Sequence, residues 1–430
     1  MQAGLFYHDR VLGQFRVRLM RRRWLRTIQI VILLLVILSG YTLFADNNFE
    51  SWKKDFRAYA VANGIQAEVV DTALHGLLPD QKVINLGGRQ PESSSTIWSY
   101  LDFTVTPERI AAGRRMYAEH TDLLLQLSSQ YGVSSDYLLA IWGLETRFGQ
   151  STGDYGTIRS LASLAFGGRE DRRAFWREQL MAALRILQRG DIDPGALRGS
   201  WAGAIGHTQF IPTTFEHYAV DFDHDGQRNL KGSIADALAS TANYLVHAGW
   251  IRGQRWGFEV RLPPGFDWSL ADPEVWKSLP EWQALGVEAG TGAFPASDDP
   301  ASLLLPAGYR GPAFLVFANF NALLRYNSSS SYALAAGLLA DRIRGGPGLQ
   351  ARWPRDEKAL SSSEKTELQE LLSAAGYSTE GVDGLIGPNT RAALKRWQSD
   401  VGFPPDGYAT AEHLRKLRAQ VELGHARHEG

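Results

Sequence analysis

The stretch "LLAIWGLETRFGQ", Leu138–Gln150, places one carboxylate at the end of an uncharged run. Ser134 or Ser135 can cap a helix that starts near Asp136, and Gly149 can stop it. Leu138, Leu139, Ile141, Trp142 and Leu144 cover most of the circumference of that helix, which predicts that it is buried. By three- and four-residue spacing, Glu145 falls on the same stripe as Leu138, Ile141, Trp142 and Phe148. Desolvation of a carboxyl on an apolar face disfavours its charged form and raises its pKa. A glutamic acid still protonated near neutrality can give a proton to a glycosidic oxygen. An ion pair with Arg147 or another arginine, or a helix end that simply surfaces, would account for the same residue.

Working outward, 430 residues suffice for two or three domains with cores of their own. The formal net charge of −1 gives no global attraction to nucleic acid or another polyanion. Thirteen Trp, fifteen Tyr and nineteen Phe would suit a carbohydrate cleft, although cores consume aromatics too. Cysteine is absent, which rules out disulfides, thiolate metal sites and a lipidated N-terminal cysteine; the chain is not a lipoprotein. Residues 1–45 hold a basic flank (Arg21, Arg22, Arg23, Arg26) followed by an apolar run from about Ile28 to Ala45. That is the pattern of a signal peptide or an uncleaved signal anchor, with Met20 as an alternative start. Either form takes the mature chain out of the cytoplasm, and an anchor would leave it on the inner membrane.

From Phe49 to about Ile343 the periodicity is mostly helical, with Gly-rich interruptions. "FEVRL" and "AFLVFANF" are the best strand candidates, and the region reads as one mainly α domain with two lobes. Residues 344–360 concentrate Gly, Pro, Ser and charge and read as a linker. Residues 361–419 form a compact unit of two or three short helices, and 420–430 a tail. No internal repeat is visible.

Two further segments carry chemistry. In "RGSWAGAIGHTQFIPTTF", Arg198–Phe215, glycines allow close backbone approach, while Ser200, His207, Thr208 and Gln209 offer neutral hydrogen-bonding groups. Neutral groups beside an apolar carboxyl suit a sugar better than a phosphate; a tightly packed turn is the alternative. In "DFDHDGQRNLKGSIAD", Asp221, Asp223 and Asp225 followed by Gly226 match the first half of a calcium loop. Gly232 stands where the closing glutamate is expected, so Asp236 closes the shell only in a longer loop, with Asn229 or the Gln227 carbonyl contributing. An Asp/Gly turn capping the next helix is the other reading.

Taken together, the segments resemble the membrane-bound lytic transglycosylase B family of bacterial murein-degrading enzymes. The resemblance spans about Phe49 to Ile343 through "GIQAEVVDTAL", "RQPESSSTIWSYL", "GLETRFG", "RGSWAGAIGHTQFIPTTF", "AVDFDHDGQRNL", "ANYLVHAGW" and "LLRYNSSSSYALA". The tail resembles the common peptidoglycan-binding module through Asp383, Gly384, Gly387, Thr390, Ala393, Trp397 and Gln398. The resemblance implies a mainly α fold: a lysozyme-like catalytic domain with α+β lobes and a Gly-rich cleft over 46–343, then a small three-helix binding domain over 361–419. It implies Glu145 as the single catalytic acid. Ser200, Gln209, Tyr244, Asn327 and Tyr332 would contact sugar, with Tyr100 in "WSYL" a further member. Asp221, Asp223, Asp225, the Gln227 carbonyl and Asp236 would hold a structural calcium, and no cofactor is required for the chemistry. Trp201 where phenylalanine is common, and "NLGGRQPE" without the usual aspartate, bear on subsite preference.

The implied reaction is non-hydrolytic cleavage of the β-1,4 bond between N-acetylmuramic acid and N-acetylglucosamine in glycan strands, leaving 1,6-anhydro ends. The implied place is the periplasm of a Gram-negative bacterium, with cell-wall synthesis or division complexes as partners and no nucleic acid. A hydrolytic muramidase and a non-catalytic wall-binding scaffold are the rival readings. Asp154 and Glu170 are near in sequence, yet neither sits in a comparably apolar setting.

Overall fold

The computed structural model describes residues 48–88 and 95–428. The basic flank and apolar run of 1–45 lie outside them. Among the described residues no helix is long and apolar enough to cross a membrane. The chain divides into two compact units.

The first unit combines residues 48–87 with Ile158–Gln188 and is helical. On its opening helix, 48–62, three- and four-residue spacing lines up Phe49, Trp52 and Phe56. Their rings stack at 5.4 and 5.3 Å, and Phe166 meets Phe49 edge-on at 5.0 Å.

The second unit is built around the helix Ser135–Thr146, buried continuously from Ser135 to Gly143. Leu138, Leu139 and Ala140 are strong helix formers, and no proline interrupts the segment. The helices Pro107–Glu119, Thr121–Tyr131, Ile234–His247 and Ser330–Arg344 pack around it. Ser134 has the extended backbone of an N-cap, but its hydroxyl bonds the Asp136 carboxylate and not a backbone N–H. Asp136 in turn accepts from the Arg344 guanidinium at 3.0 Å, which compensates its burial. At the other end the helix stops at Thr146, three residues before the expected glycine. Arg147, Phe148 and Gly149 all have left-handed φ, at 52°, 61° and 84°. The first two are non-glycine, so this exit stores strain beside Glu145. Gly143 makes the exit sterically feasible: a Cβ there would stand 2.7 Å from the Phe148 ring.

A five-stranded antiparallel sheet follows, in the order Trp276–Ser278, Pro300–Leu304, Ala313–Val316, Gly257–Arg261, Glu288–Ala289. The two runs expected from sequence are neighbours in its centre, with Phe258 opposite Leu315. "AFLVFANF" is a strand only through Val316; Phe317 caps the helix Ala318–Tyr326. All four residues of Ala313–Val316 are buried, because alternate side chains serve different cores. Phe314 and Val316 join the helical core around Trp142, whereas Ala313 and Leu315 join Trp282 and Leu303.

Residues 345–360 lack regular structure but are tied to the unit. Glu259 accepts from the Gln350 and Ala351 amides at 2.8 and 2.7 Å, and Arg355 grips Asp102 with two bonds of 2.7 and 2.9 Å. The C-terminal module has the helices Ser362–Ala374, Pro388–Asp400 and Ala411–His428 around Leu368, Leu372, Leu394, Trp397 and Leu417. Two sequence readings change here. The third helix, Ala411–His428, enters the segment 420–430 that reads from sequence as a tail, and the module holds an internal repeat. Gln369 with Asp383–Gly384 and Gln398 with Asp406–Gly407 make the same hydrogen-bonded box.

Candidate active site

Glu145 lies in the last turn of its helix, half-buried at the edge of the core. Its carboxylate Oε1 accepts from the Tyr332 hydroxyl at 2.7 Å. Arg147 is exposed and makes no ion pair with it. Burial pushes the Glu145 pKa up to about 7, against the opposing pull of the Tyr332 bond. Among the described residues no other carboxylate contributes to this shift. Asp154 and Glu170 are both exposed.

A wall of tyrosines runs from that acid. Tyr332 stacks on Tyr326 at 6.2 Å, Tyr326 meets Tyr244 edge-on at 5.2 Å, and Tyr244 meets Tyr218 at 4.8 Å. The Tyr326 hydroxyl donates to the Thr208 carbonyl at 2.6 Å, which joins this wall to the Gly-rich segment. The Tyr244 hydroxyl bonds the Arg325 carbonyl, so its ring and not its hydroxyl is offered outward. The pKa values of Tyr326 and Tyr332 are raised by burial first and by the nearby Glu145 charge second. Tyr100 shows the same two causes in the same order, which places it within the field of the acid. Asn327 follows Tyr326 directly; its Oδ1 accepts the Ser329 amide at 3.1 Å, leaving its NH2 to donate.

The Gly-rich segment folds back on itself. Ser200 donates its backbone N–H to the Ala204 carbonyl at 2.9 Å, and its hydroxyl accepts the Ala204 amide at 3.0 Å while keeping its own proton to give. Space demands two of the glycines: a Cβ on Gly199 would lie 1.9 Å from the Ala204 carbonyl oxygen, and one on Gly206 2.3 Å from that of Leu230. Gln209, at φ 54°, gives its amide hydrogens to the Thr152 and Gly206 carbonyls at 3.1 and 2.9 Å. Its Oε1 is left as an acceptor.

His207 and Thr146 fasten this segment to the acid helix. The Trp142 indole, a donor only, bonds His207 Nδ1 at 3.0 Å, so that nitrogen carries no proton. Burial lowers the His207 pKa and favours this neutral form. Thr146 Oγ1 donates to the His207 carbonyl at 2.6 Å and accepts the Gly149 amide at 3.0 Å. Sequence reasoning missed Tyr326 and Thr146 as site components, and it named His207 only as a neutral hydrogen-bonding group of the Gly-rich segment, not as the link to the acid helix. Tyr326 stands beside Asn327 and Thr146 beside Glu145 in quoted motifs, but their partners lie far along the chain.

Elsewhere in the unit, oxygens of Asp221, Asp223 and Asp236 lie within 4.8 Å of one another. Asp236 is buried and accepts the Phe222 and Asn229 amides at 2.7 and 2.8 Å. Asp221 Oδ1 is buried with no hydrogen-bond partner among the described residues. Three convergent carboxylates with an orphaned oxygen fit a hard cation. Asp225 is outside this cluster: its Oδ1 caps the exposed Gln227. A cavity of about 580 Å³ near Arg114 and Arg344 contains none of the site residues, so chemistry and not enclosed volume picks out the site.

Residues 48–341 match the transglycosylase SLT domain family, and residues 361–417 a peptidoglycan binding domain family. The chain is 31% identical over 287 residues to membrane-bound lytic murein transglycosylase B of Escherichia coli K12, covering 65% of this chain and 75% of that one. SltB3 from Pseudomonas aeruginosa, solved in complex with NAG-anhNAM-pentapeptide, is 50% identical with a TM-score of 0.83; the match covers 86% of this chain and 99% of that one. The Escherichia coli lytic transglycosylase Slt35, solved with calcium, is 28% identical with a TM-score of 0.57, over 68% and 92% of the two chains.

Proposed function

Since the chain belongs to the lytic transglycosylases of the SLT-domain family, we propose that Glu145 is the acid, and then the base, of its reaction. The reaction is cleavage of peptidoglycan between N-acetylmuramic acid and N-acetylglucosamine, with a 1,6-anhydromuramoyl end as product. The observation that carries the assignment is a lone carboxyl, raised to about 7, held at 2.7 Å by one tyrosine.

The protonated Glu145 gives its proton to the bridging oxygen as the bond to C1 of the muramoyl sugar breaks. The carbonyl oxygen of that sugar's 2-acetamido group stabilises C1. Glu145, now anionic and stabilised by the Tyr332 hydroxyl, takes the proton of the C6 hydroxyl as O6 bonds C1. No water is consumed and no second carboxylate is needed, unlike a two-carboxylate hydrolase. Ser200 and the Asn327 amide donate to the substrate, Gln209 Oε1 accepts from it, and Tyr244 and Tyr100 supply ring surface for the sugars. Mass spectrometry of digested sacculi tests this reading: 1,6-anhydromuramoyl ends are expected, and reducing muramic acid alone would establish a muramidase instead.

The Asp221, Asp223 and Asp236 cluster is assigned to a structural calcium, with Asp225 and the Gln227 carbonyl as candidate outer ligands. The ion would offset the repulsion of three carboxylates and fasten the loop to the helix Ile234–His247. Calcium at a hundredfold excess over its Kd should stabilise the fold by about 2.7 kcal/mol, seen as a thermal midpoint several degrees higher than in chelator. Asp221→Asn should abolish that difference. An unchanged midpoint in both would dismiss the ion. The reading places the enzyme in the periplasm, secreted or anchored by residues 1–45, acting on glycan strands alone or within wall-building complexes.

A further inference from the structure

The two boxes of the C-terminal module share three corresponding bonds. In the first, Gln369 Nε2 donates to Asp383 Oδ1 at 2.9 Å, the Leu385 amide donates to the same oxygen at 2.8 Å, and Gln369 Oε1 accepts the Gly384 amide at 2.8 Å. In the second, Gln398 Nε2 donates to Asp406 Oδ1 at 2.9 Å, the Tyr408 amide to the same oxygen at 2.8 Å, and Gln398 Oε1 accepts the Gly407 amide at 2.8 Å. Gly384 and Gly407 share a φ of 72°, which only glycine adopts freely. Fully buried Leu394 and Leu417 stand at the same offset from their aspartates.

The boxes differ in what their second carboxylate oxygen holds. Asp406 Oδ2 accepts the backbone N–H of Tyr309 at 2.8 Å. The strand of chain delivering that N–H runs so close that a Cβ on Gly308 would lie 2.6 Å from Asp406 Oδ2 and 2.9 Å from the Tyr408 side chain. The second box is therefore a site for an amide N–H, filled by the protein's own backbone, with the Tyr408 ring beside it. Asp383 Oδ2 has no partner among the described residues, and the residue equivalent to Tyr408 is Leu385, 57% exposed. Val382, before the aspartate, is 48% exposed. Bonds from Gln369 first, and the Leu385 amide second, hold the Asp383 carboxyl below the usual range, so it is an anionic acceptor at neutral pH.

We propose that Asp383, with Leu385 and Val382 beside it, is the wall-binding site of the module, accepting an amide N–H of peptidoglycan as Asp406 accepts that of Tyr309. It rests on the module being a peptidoglycan binder. Two sources on the polymer share this chemistry: an acetamido group of the glycan and a backbone amide of the stem peptide. The second box, occupied in cis, docks the module on the catalytic unit, helped by Lys395 Nζ on the Ala271 carbonyl at 2.6 Å.

Asp383→Asn is the informative change, because Asn keeps Oδ1 and its box while replacing the free acceptor by an NH2. Full-length protein carrying Glu145→Gln, which leaves the wall intact, is sedimented with purified sacculi. Asp383→Asn should weaken binding about tenfold with an unchanged thermal midpoint. Asp406→Asn should do the reverse, lowering the midpoint and leaving wall affinity within about twofold. Leu385→Ser should weaken binding severalfold. Wild-type-like affinity of both Asp383→Asn and Leu385→Ser overturns the site. Failure of the Glu145→Gln parent to bind sacculi removes the wall-binding reading and the site with it. Sacculi stripped of peptide by an amidase separate the sources: binding retained and still sensitive to Asp383 means acetamido, binding lost means stem peptide.

Discussion

Glu145→Gln should cost about a thousandfold in the rate of anhydromuramoyl-end formation, near the middle of what a positioned acid–base contributes. Glutamine matches the carboxyl in shape and can still accept the Tyr332 hydroxyl, so the loss would be chemical and not architectural. Stability should move the other way. The folded pKa of about 7 lies above the ordinary glutamate value of 4.5, so the native state binds the proton more tightly. The stability due to that proton is fully present below pH 4.5 and is lost as pH rises through about 7. Because Glu145 is only half-buried, solvent screening reduces the full effect, leaving about 1–3 kcal/mol that the wild type forfeits at pH 8. The glutamine variant has no such dependence and should be the more stable protein at pH 8 and the less active one everywhere. Denaturant melts at pH 5 and pH 8 measure this. Parallel pH dependence of the two proteins would mean that Glu145 is solvated and has been misassigned. The wild-type rate itself should fall as pH rises through about 7, because only the protonated acid starts the reaction.

Tyr332→Phe should be the next most damaging change, at about 10- to 100-fold in rate at the optimum. The hydroxyl fixes the carboxyl from a residue 187 positions away, and it stabilises the carboxylate that must act as base in the second half of the reaction. Removing a donor to the ionised form raises the acid's pKa further, so the alkaline limb of the pH–rate profile should move to higher pH. That displacement distinguishes an electrostatic role from damaged packing, which would lower the rate and leave the limb in place. Because Tyr332 also stacks on Tyr326, phenylalanine, which keeps the ring, is the appropriate replacement.

Local periodicity made the acid helix and its stripe legible, since helical spacing alone puts Glu145 beside Ile141 and Trp142. It could not supply the helix exit. A run of three left-handed residues depends on the Phe148 ring folding over Gly143, a contact that no propensity encodes. Strands of two or three residues at the sheet edges gave no pattern to detect, whereas of the two central runs one alternates and the other is continuously apolar. In the acidic loop the aspartate spacing was visible. Which carboxylates converge depended on how the chain returns to Asp236, and Asp225 turned away to cap its own loop. The repeat in the module escaped notice because glutamine and aspartate are 14 residues apart in one half and 8 in the other.

By itself, then, the sequence determined the candidate for the acid, the order of the motifs and the family they compose, because these reside in residue type and local spacing. The tertiary structure alone decided that Glu145 answers to Tyr332 and not to Arg147. It alone set Gln209 as an acceptor and left Asp383 open while Asp406 is filled. Each of those outcomes is a hydrogen-bond partner chosen across a long stretch of chain, where burial leaves one geometry able to satisfy the donors and acceptors present.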